Sequence, residues 1–367
     1  MTRVLHIISD TNIGGGGRAL LNYLQFADRE KFELAVVLPE GSALKPRIEN
    51  LKIPLSEIPA LADKSMDRKA IPLLRKRIRA FQPHIVHTHG ALAGRIAARL
   101  EGKKAVYTKH CAFPPGKLLS SPPGRLLNGL LDGLLADAVI AVGPSAQEIL
   151  VASGIPKRRI HQMLNGVAPL PAPPEDCRSQ WGLRPEDFVV GILARVEPYK
   201  GHDVLLQAAG LLEQRGRAVK ILIAGDGSEA EKLRRQAKSM FSGSVIFGGF
   251  VTRVEEALGA MDVQVNASTI SETSSLSLLE GMSIGLPAIA SDCGGNPSLI
   301  FPGENGFLFE NGSAADLAGK LETLMDRPEL RARMSRRAKE IFEKKFTGQV
   351  YARNVESVYR TIWKGAS

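Results

Sequence analysis

The chain has 367 residues, 44% of them hydrophobic and 23% charged, which is a length for two ordinary domains and a composition that excludes a disordered chain. Its net charge of +10 is uneven: residues 1–168 hold 24 Lys and Arg against 13 Asp and Glu, or +11, and the remainder holds 24 against 25, or −1. The first half is therefore expected to meet something anionic such as a membrane surface, whereas an aromatic content of 5% and no legible nucleic-acid module exclude nucleic acid from the expected partners.

RVLHIIS reads as an apolar strand, followed by the loop DTNIGGGG and the helical pattern RALLNYLQFA. Gly14 to Gly17 would let the backbone approach a ligand, and the helix start behind them offers N–H groups. Gly14, Gly16 and Ala19 also satisfy G-x-G-x-x-A, and Glu40 follows the next strand, FELAVVLPE, near where an NAD ribose would take an acid. A nicotinamide oxidoreductase is thus the leading alternative, and a purely structural turn is a third reading.

A helix near 43–51, a short segment IPLSEIPA and a basic helix AIPLLRKRIRAFQP come next. In the last, Arg75, Lys76, Arg77 and Arg79 interleave with Leu73, Leu74, Ile78 and Phe81, which suits either an anionic bilayer or a core contact under a solvated face. HIVHTHG reads as a buried strand from whose end His87 and His89 emerge; they are spaced like a metal pair, but no acidic or cysteine partner is near in the sequence, and no metal is expected. AVYTKHC ends with His110 at its C-terminal tip, the edge where open α/β sheets bind ligands, although a buried structural histidine is the other reading.

PPGKLLSSPPGRLLNGLLDGLLADA joins a Pro-rich loop, Lys117 and Arg125 to a Leu-rich helix that faces either core or lipid. VIAVGPSAQEILVASGIPKRRIHQMLNGV reads as strand, Ser-capped helix, basic connection and strand, and APLPAPPED, with neither period, is the clearest linker. The domains are accordingly placed at 1–168 and 169–345. Within the second, FVVGILARVEPYKG is a strand with a loop holding Arg195 and Lys200; AVKILIAGDGSEAEKLRRQA is strand, Gly-Asp-Gly turn and helix; SVIFGGFV is a further strand ending near Phe250 and Val251. NASTISETSSLSLLEGMSIGLPAIASDCGG then places Glu272 on a polar loop and Glu280 inside a helix from about Leu276 to Ile284, with Ser and Thr available to cap it. That helix start, at Leu276 and Ser277, offers N–H groups to a phosphate. No run of about 18 apolar residues predicts a membrane-spanning helix, MTRVLHIISD is not expected to be a signal peptide, and Cys111, Cys177 and Cys293 point to reduced thiols in a cytoplasmic setting.

Glu272 and Glu280, with seven residues between them in a strand, loop and helix setting, Arg195 and Lys200 in an Arg-x4-Lys-Gly loop, Asn165-Gly166-Val167, the Gly-Asp-Gly turn, His110 and the glycine loop together resemble the retaining glycosyltransferases of family 4. The resemblance implies an α/β chain of the GT-B fold, two Rossmann-like domains facing each other across a cleft, with residues 346–367 returning to the first as a helix. It implies an enzyme, a hexosyltransferase-type glycosyltransferase, moving a sugar without metal or cofactor from a nucleotide donor, UDP favoured, to a lipid-linked or polysaccharide acceptor in cell-surface glycan synthesis. Arg195 and Lys200 would stabilise the leaving diphosphate. Glu280 would bind the ribose, Glu272 the donor-sugar hydroxyls, and His110 the sugar from the opposite domain. Gly15, Gly16 and Gly17 would close on the phosphates, and Phe250 and Val251 would meet the base. Relatives commonly follow the first Glu with Gly and an aromatic, whereas Glu272 precedes Thr273, Ser274 and Ser275, so a different backbone path is expected there. A non-catalytic sugar-nucleotide-binding subunit and a sugar-nucleotide epimerase are the remaining readings.

Overall fold

A computed structural model describes residues 1–113, 116, 121–270 and 272–366; Lys117 lies outside them. The described chain forms two units, Met1–Val167 with Gly348–Ser367, and Ala168–Thr347. In each, strands that read as near-continuous apolar runs form an all-parallel sheet covered on both faces by helices, which is why those runs do not alternate.

The first unit has seven strands: β1 (Thr2–Ile8), β2 (Phe32–Pro39), β3 (Leu55–Ile58), β4 (Ile85–His89), β5 (Lys104–Lys109), β6 (Ala138–Val142) and β7 (Ile160–Met163), in the spatial order β3-β2-β1-β4-β5-β6-β7. The order reverses at β1, which pairs with both β2 and β4. One face is covered by α1 (Gly15–Phe26), whose Leu20, Tyr23 and Leu24 are buried. The other is covered by α3 (Ala70–Phe81) and α4 (Leu92–Leu100), which follow α2 (Lys45–Asn50). The segment Gly348–Ile362 is helical and lies on the α1 side, burying Tyr351, Ala352, Val355, Val358 and Tyr359, the i, i+4, i+8 stripe of an amphipathic helix. A Cβ at Gly348 would run into the Phe26 ring, so this helix enters at a point that admits only a glycine.

Three local expectations are corrected here. The helix α1 begins at Gly15, so Gly15, Gly16 and Gly17 form its first turn and are not a loop ahead of it. His87 and His89 do not emerge from β4; they are 2% and 3% exposed. Of the two readings of α3, the core contact is the one found: its apolar stripe is buried through Ala70, Leu74 and Ile78, and Arg75 and Arg79 on its other face both pair with Glu101, at 2.6 and 2.7 Å. Exposed apolar surface lies instead on α5 (Pro122–Leu135), where Leu126, Leu127, Leu130, Leu131 and Leu134 face solvent. The next helix, α6 (Pro144–Ala152), starts at Gly143 without a side-chain cap, contrary to the serine cap expected.

The second unit has six strands: β8 (Val189–Leu193), β9 (Lys220–Ala224), β10 (Val245–Gly249), β11 (Val263–Asn266), β12 (Ala288–Ser291) and β13 (Gly306–Phe309), in the order β10-β9-β8-β11-β12-β13. Its core packs α7 (His202–Gln214) through Leu205, Leu206 and Leu212, and α11 (Ala314–Asp326) through Leu317, Leu321 and Leu324, over one face. Between them in the chain come α8 (Ala230–Met240), α9 (Val254–Gly259) and α10 (Leu276–Ser283), and α12 (Pro328–Lys345) follows α11. Here too the order reverses at one strand, β8, flanked by β9 and β11. Among the described residues no helix is long and apolar enough to cross a membrane.

Candidate active site

In an open parallel sheet, the ends of the strands flanking the reversal splay apart and leave a crevice at the carboxyl edge. In the second unit that crevice opens between β8 and β11, and the two loops leaving it carry Arg195, Lys200 and Glu272. Gly201 has φ +67, and a Cβ there would strike the Ala267 carbonyl oxygen; only glycine lets the Lys200 loop lie this close to the end of β11. On the other side Val196 N–H donates to the Asp226 carbonyl at 3.0 Å and Ala194 N–H to Ala224 at 3.1 Å, so the Gly-Asp-Gly turn braces the Arg195 loop.

The result is a polar cluster with one ion pair at its centre. The Lys200 ammonium lies 2.8 Å from Glu272 Oε2, with the two side chains 20% and 9% exposed. The same carboxylate oxygen accepts from Ser268 Oγ at 2.8 Å and from Asn266 Nδ2 at 3.4 Å. Burial pushes the Glu272 pKa up, but the Lys200 charge and the hydrogen bonds from Lys200, Ser268 and Asn266 outweigh it and hold the group below the usual carboxylate range. Asn266 also donates to Ser275 Oγ at 3.0 Å, and Ser275 caps α10 by accepting from Leu278 N–H. A single side-chain network thus links β11, the Glu272 loop and the start of α10, where Leu276 is buried and Ser277 lies 3.2 Å from Ser275.

Arg195 is exposed and donates to the Tyr199 hydroxyl at 2.9 Å, while the Lys200 ammonium lies 5.6 Å from the centre of the Tyr199 ring. Tyr199 therefore holds the two cations to one side of the crevice. Glu280, inside α10, is 5% exposed and so is not a solvated surface glutamate. Phe250 follows β10 and is 81% exposed, an aromatic face at the same sheet edge with Val251 half-buried beside it.

In the first unit the carboxyl edge near β1, β4 and β5 carries His110 directly after β5. A Cβ at Gly16 would lie 3.3 Å from both the His110 ring and Asp10 Oδ2, so the glycine turn, the end of β1 and the end of β5 meet. Burial pulls the His110 pKa down to about 4, and burial followed by the Asp63 charge raises that of Asp10. His110 Nε2 lies 2.9 Å from His89 Nδ1, and His89 Nε2 lies 3.2 Å from His6 Nδ1. His87 bonds through its two ring nitrogens to Tyr359 OH at 2.6 Å and Thr108 Oγ1 at 2.7 Å. The ligand atoms of His6, His87 and His89 lie within 4.8 Å of one another, close enough to surround a metal ion. His6 is the neighbour that the sequence reading missed; the parallel register sets it opposite His87. Asp10, Tyr199, Asn266 and Ser268 were missed as well, and of these Asn266 and Ser268 could have been noticed as the polar residues that open the Glu272 loop.

The family model for glycosyl transferases group 1 matches residues 175–341, and that for glycosyltransferase family 4 matches residues 13–169. EpsD of Bacillus subtilis (strain 168), named as a glycosyltransferase, is 31% identical over 280 residues, covering 70% of this chain and 71% of its own. The D-inositol 3-phosphate glycosyltransferase of Arthrobacter sp. (strain FB24) is 31% identical over 313 residues, covering 78% and 72%. Among solved structures, Anabaena HepE in complex with UDP superposes with a TM-score of 0.84 at 22% identity, over 98% of this chain and 100% of that one. These relatives set aside the nicotinamide oxidoreductase reading of the Gly14–Ala19 turn. The two units are the two Rossmann-like domains of a GT-B enzyme, and the chain belongs to glycosyltransferase family 4.

Proposed function

We propose that the protein transfers a sugar from a nucleotide donor, UDP-linked in preference, to a lipid-linked or polysaccharide acceptor with retention of anomeric configuration and without a metal. The observation that carries this is the shielded Lys200–Glu272 pair at the mouth of α10. A lysine held beside a helix start by a carboxylate is a cation ready for an anion, since an arriving diphosphate offers it a stronger partner than one glutamate does. Arg195 and Lys200 take the diphosphate, Leu276 and Ser277 offer backbone N–H groups to it, Glu280 takes the ribose hydroxyls, and Phe250 and Val251 meet the base. Glu272, released from Lys200, accepts from the donor-sugar hydroxyls. His110 and the Gly15–Gly17 turn serve the sugar and phosphates from the first unit. HepE has been crystallised with UDP and with UDP-glucose, which supports the choice of base.

In the chemical step the bond between the anomeric carbon and the phosphate oxygen breaks, and its electron pair leaves with the diphosphate. The acceptor hydroxyl attacks the same face, and its proton passes to the departing phosphate oxygen. Fixed cations around that phosphate stabilise the charge as it grows. The basic first unit and the exposed leucines of α5, with Arg125, Arg158 and Arg159 nearby, support peripheral binding to an anionic membrane. A screen of nucleotide sugars by thermal shift, followed by NMR of the product anomer, tests the reading: no stabilisation by any nucleotide sugar, or an inverted product, overturns it. Liposome sedimentation at low and high salt tests the membrane part, and no binding in either removes it.

A further inference from the structure

The side-chain amide of Asn266 is the hub of the polar cluster in the second unit, and the reaction scheme gives it no task. Asn266 is the last residue of β11 and is 8% exposed. The Ser268 backbone N–H can only donate, and it lies 3.1 Å from Oδ1, so the amide oxygen faces that backbone and Nδ2 faces the Glu272 loop. A primary amide offers two donors and two acceptors, and here each is engaged. Nδ2 donates to Ser275 Oγ at 3.0 Å and to Glu272 Oε2 at 3.4 Å. Oδ1 accepts from Ser268 N–H and from Asn296 Nδ2, the latter at 3.5 Å. No other side chain fills this set: a carboxylate lacks the donors, a hydroxyl has one, and glutamine carries its amide one carbon farther from the strand.

We propose that Asn266 is a positioning residue that fixes the Glu272 carboxylate and the start of α10 in one relation, so that the sugar of the donor is bound in register with its diphosphate. The proposal rests on the reading that Glu272 meets the donor sugar and that the start of α10 meets the diphosphate.

The two groups to which Nδ2 donates are the two with different tasks. Ser275 caps α10 by accepting from Leu278 N–H, and Glu272 is the carboxylate of the sugar site. Lys200, at 2.8 Å from Glu272 Oε2, is the partner that turns to an arriving diphosphate. Asn266 and Ser268 donate to that same oxygen and stay, so the carboxylate keeps its place while its ion pair is exchanged. The backbone beneath is fixed as well. Ser291 Oγ donates to the Ser268 carbonyl at 2.6 Å, Asn296 Nδ2 to the Ser291 carbonyl at 3.1 Å, and Gly295 N–H to the Glu272 carbonyl at 3.0 Å. A Cβ at Gly294 or Gly295 would overlap the carbonyl oxygen of Glu272 or Thr273, so the chain after β12 lies flush against the loop. Asn266 ties the carboxylate and the helix start to this floor.

The test is calorimetric titration of the full chain with UDP and with UDP-glucose. Asn266→Ala is expected to leave the Kd for UDP within about twofold and to weaken UDP-glucose about tenfold, the loss of a hydrogen bond to a charged group. Equal losses for the two compounds, or none for either, overturn the proposal. If Asn266→Ala does not fold, Asn266→Thr, which suits a strand end and has one donor in place of two, takes its place with the same expected split. Failure of the wild type to bind UDP-glucose, or an unchanged Kd in Glu272→Gln, removes the donor reading instead. The geometry is then decided by stability: Asn266→Ala and Ser275→Ala remove one shared bond and are expected to be non-additive in denaturant unfolding, and additivity overturns the proposal.

Discussion

The carboxyl edges of the two sheets solve the same problem in opposite ways. Beside β8 and β11 the second unit shields a charged pair, Lys200 with Glu272, and surrounds the carboxylate with Ser268 and Asn266. Beside β1, β4 and β5 the first unit buries His6, His87 and His89 next to the half-buried His110, all with depressed pKa values, and hydrogen bonds link His6, His89 and His110 in a file. An ion pair can exchange one partner for an incoming anion. A neutral file can change only the direction of its protons. On the proposed function, anion binding falls to the second unit and polar discrimination to the first.

Removing the cation tests that assignment hardest. Lys200→Ala is expected to lower kcat by about 10³, the upper range for loss of one fixed group that stabilises developing charge. It also takes the ammonium away from the shielded Glu272 carboxylate, at a cost of about 3 kcal/mol. Lys200→Met with Glu272→Gln should recover the stability and not the rate, measured by denaturant unfolding and by donor turnover.

The histidines give the first unit a pH dependence of opposite origin. Their folded pKa values lie below the unfolded 6.5, so the unfolded chain binds more protons between pH 6.5 and about 4, and stability falls as pH falls through that window. Each histidine contributes up to about 1.4 kcal/mol per pH unit. Thermal unfolding across pH 4 to 7 should show this slope reduced in His6→Phe.

Gly201→Ala comes next in size. The positive φ and the Ala267 oxygen together should cost about 2 kcal/mol or more and loosen the Lys200 loop, seen as a lower midpoint of unfolding and a raised donor KM. Tyr199→Phe is the mildest: it removes the acceptor for Arg195, worth about 1 kcal/mol, and should raise donor KM several-fold with little loss of stability.

Much of the architecture was legible because buried parallel strands advertise themselves as apolar runs, and because Arg195, Lys200, Glu272 and Glu280 stand on short loops or helix starts next to such runs. What escaped was information carried by register and by distant pairing. His6 looks like a lone polar residue inside RVLHIIS, and only the alignment of β1 with β4 makes it a neighbour of His87 and His89. The cationic face of α3 looked free because Glu101 lies more than 20 residues downstream of Arg75 and Arg79. The start of α1 was misplaced because glycine is a poor helix former, and Gly16 and Gly17 are kept small by His110, Asp10 and Leu44 rather than by local preference.

The helix Gly348–Ile362 belongs to the first unit, yet the ribosome makes it only after the whole of the second. Until it arrives, Tyr23, Leu20 and Leu24 lack their cover and His87 lacks the Tyr359 hydroxyl. A nascent chain must therefore shelter an unfinished amino-terminal half through some 180 further residues of synthesis, which makes that half a natural client for chaperones and a point where premature stop codons are felt far from where they fall.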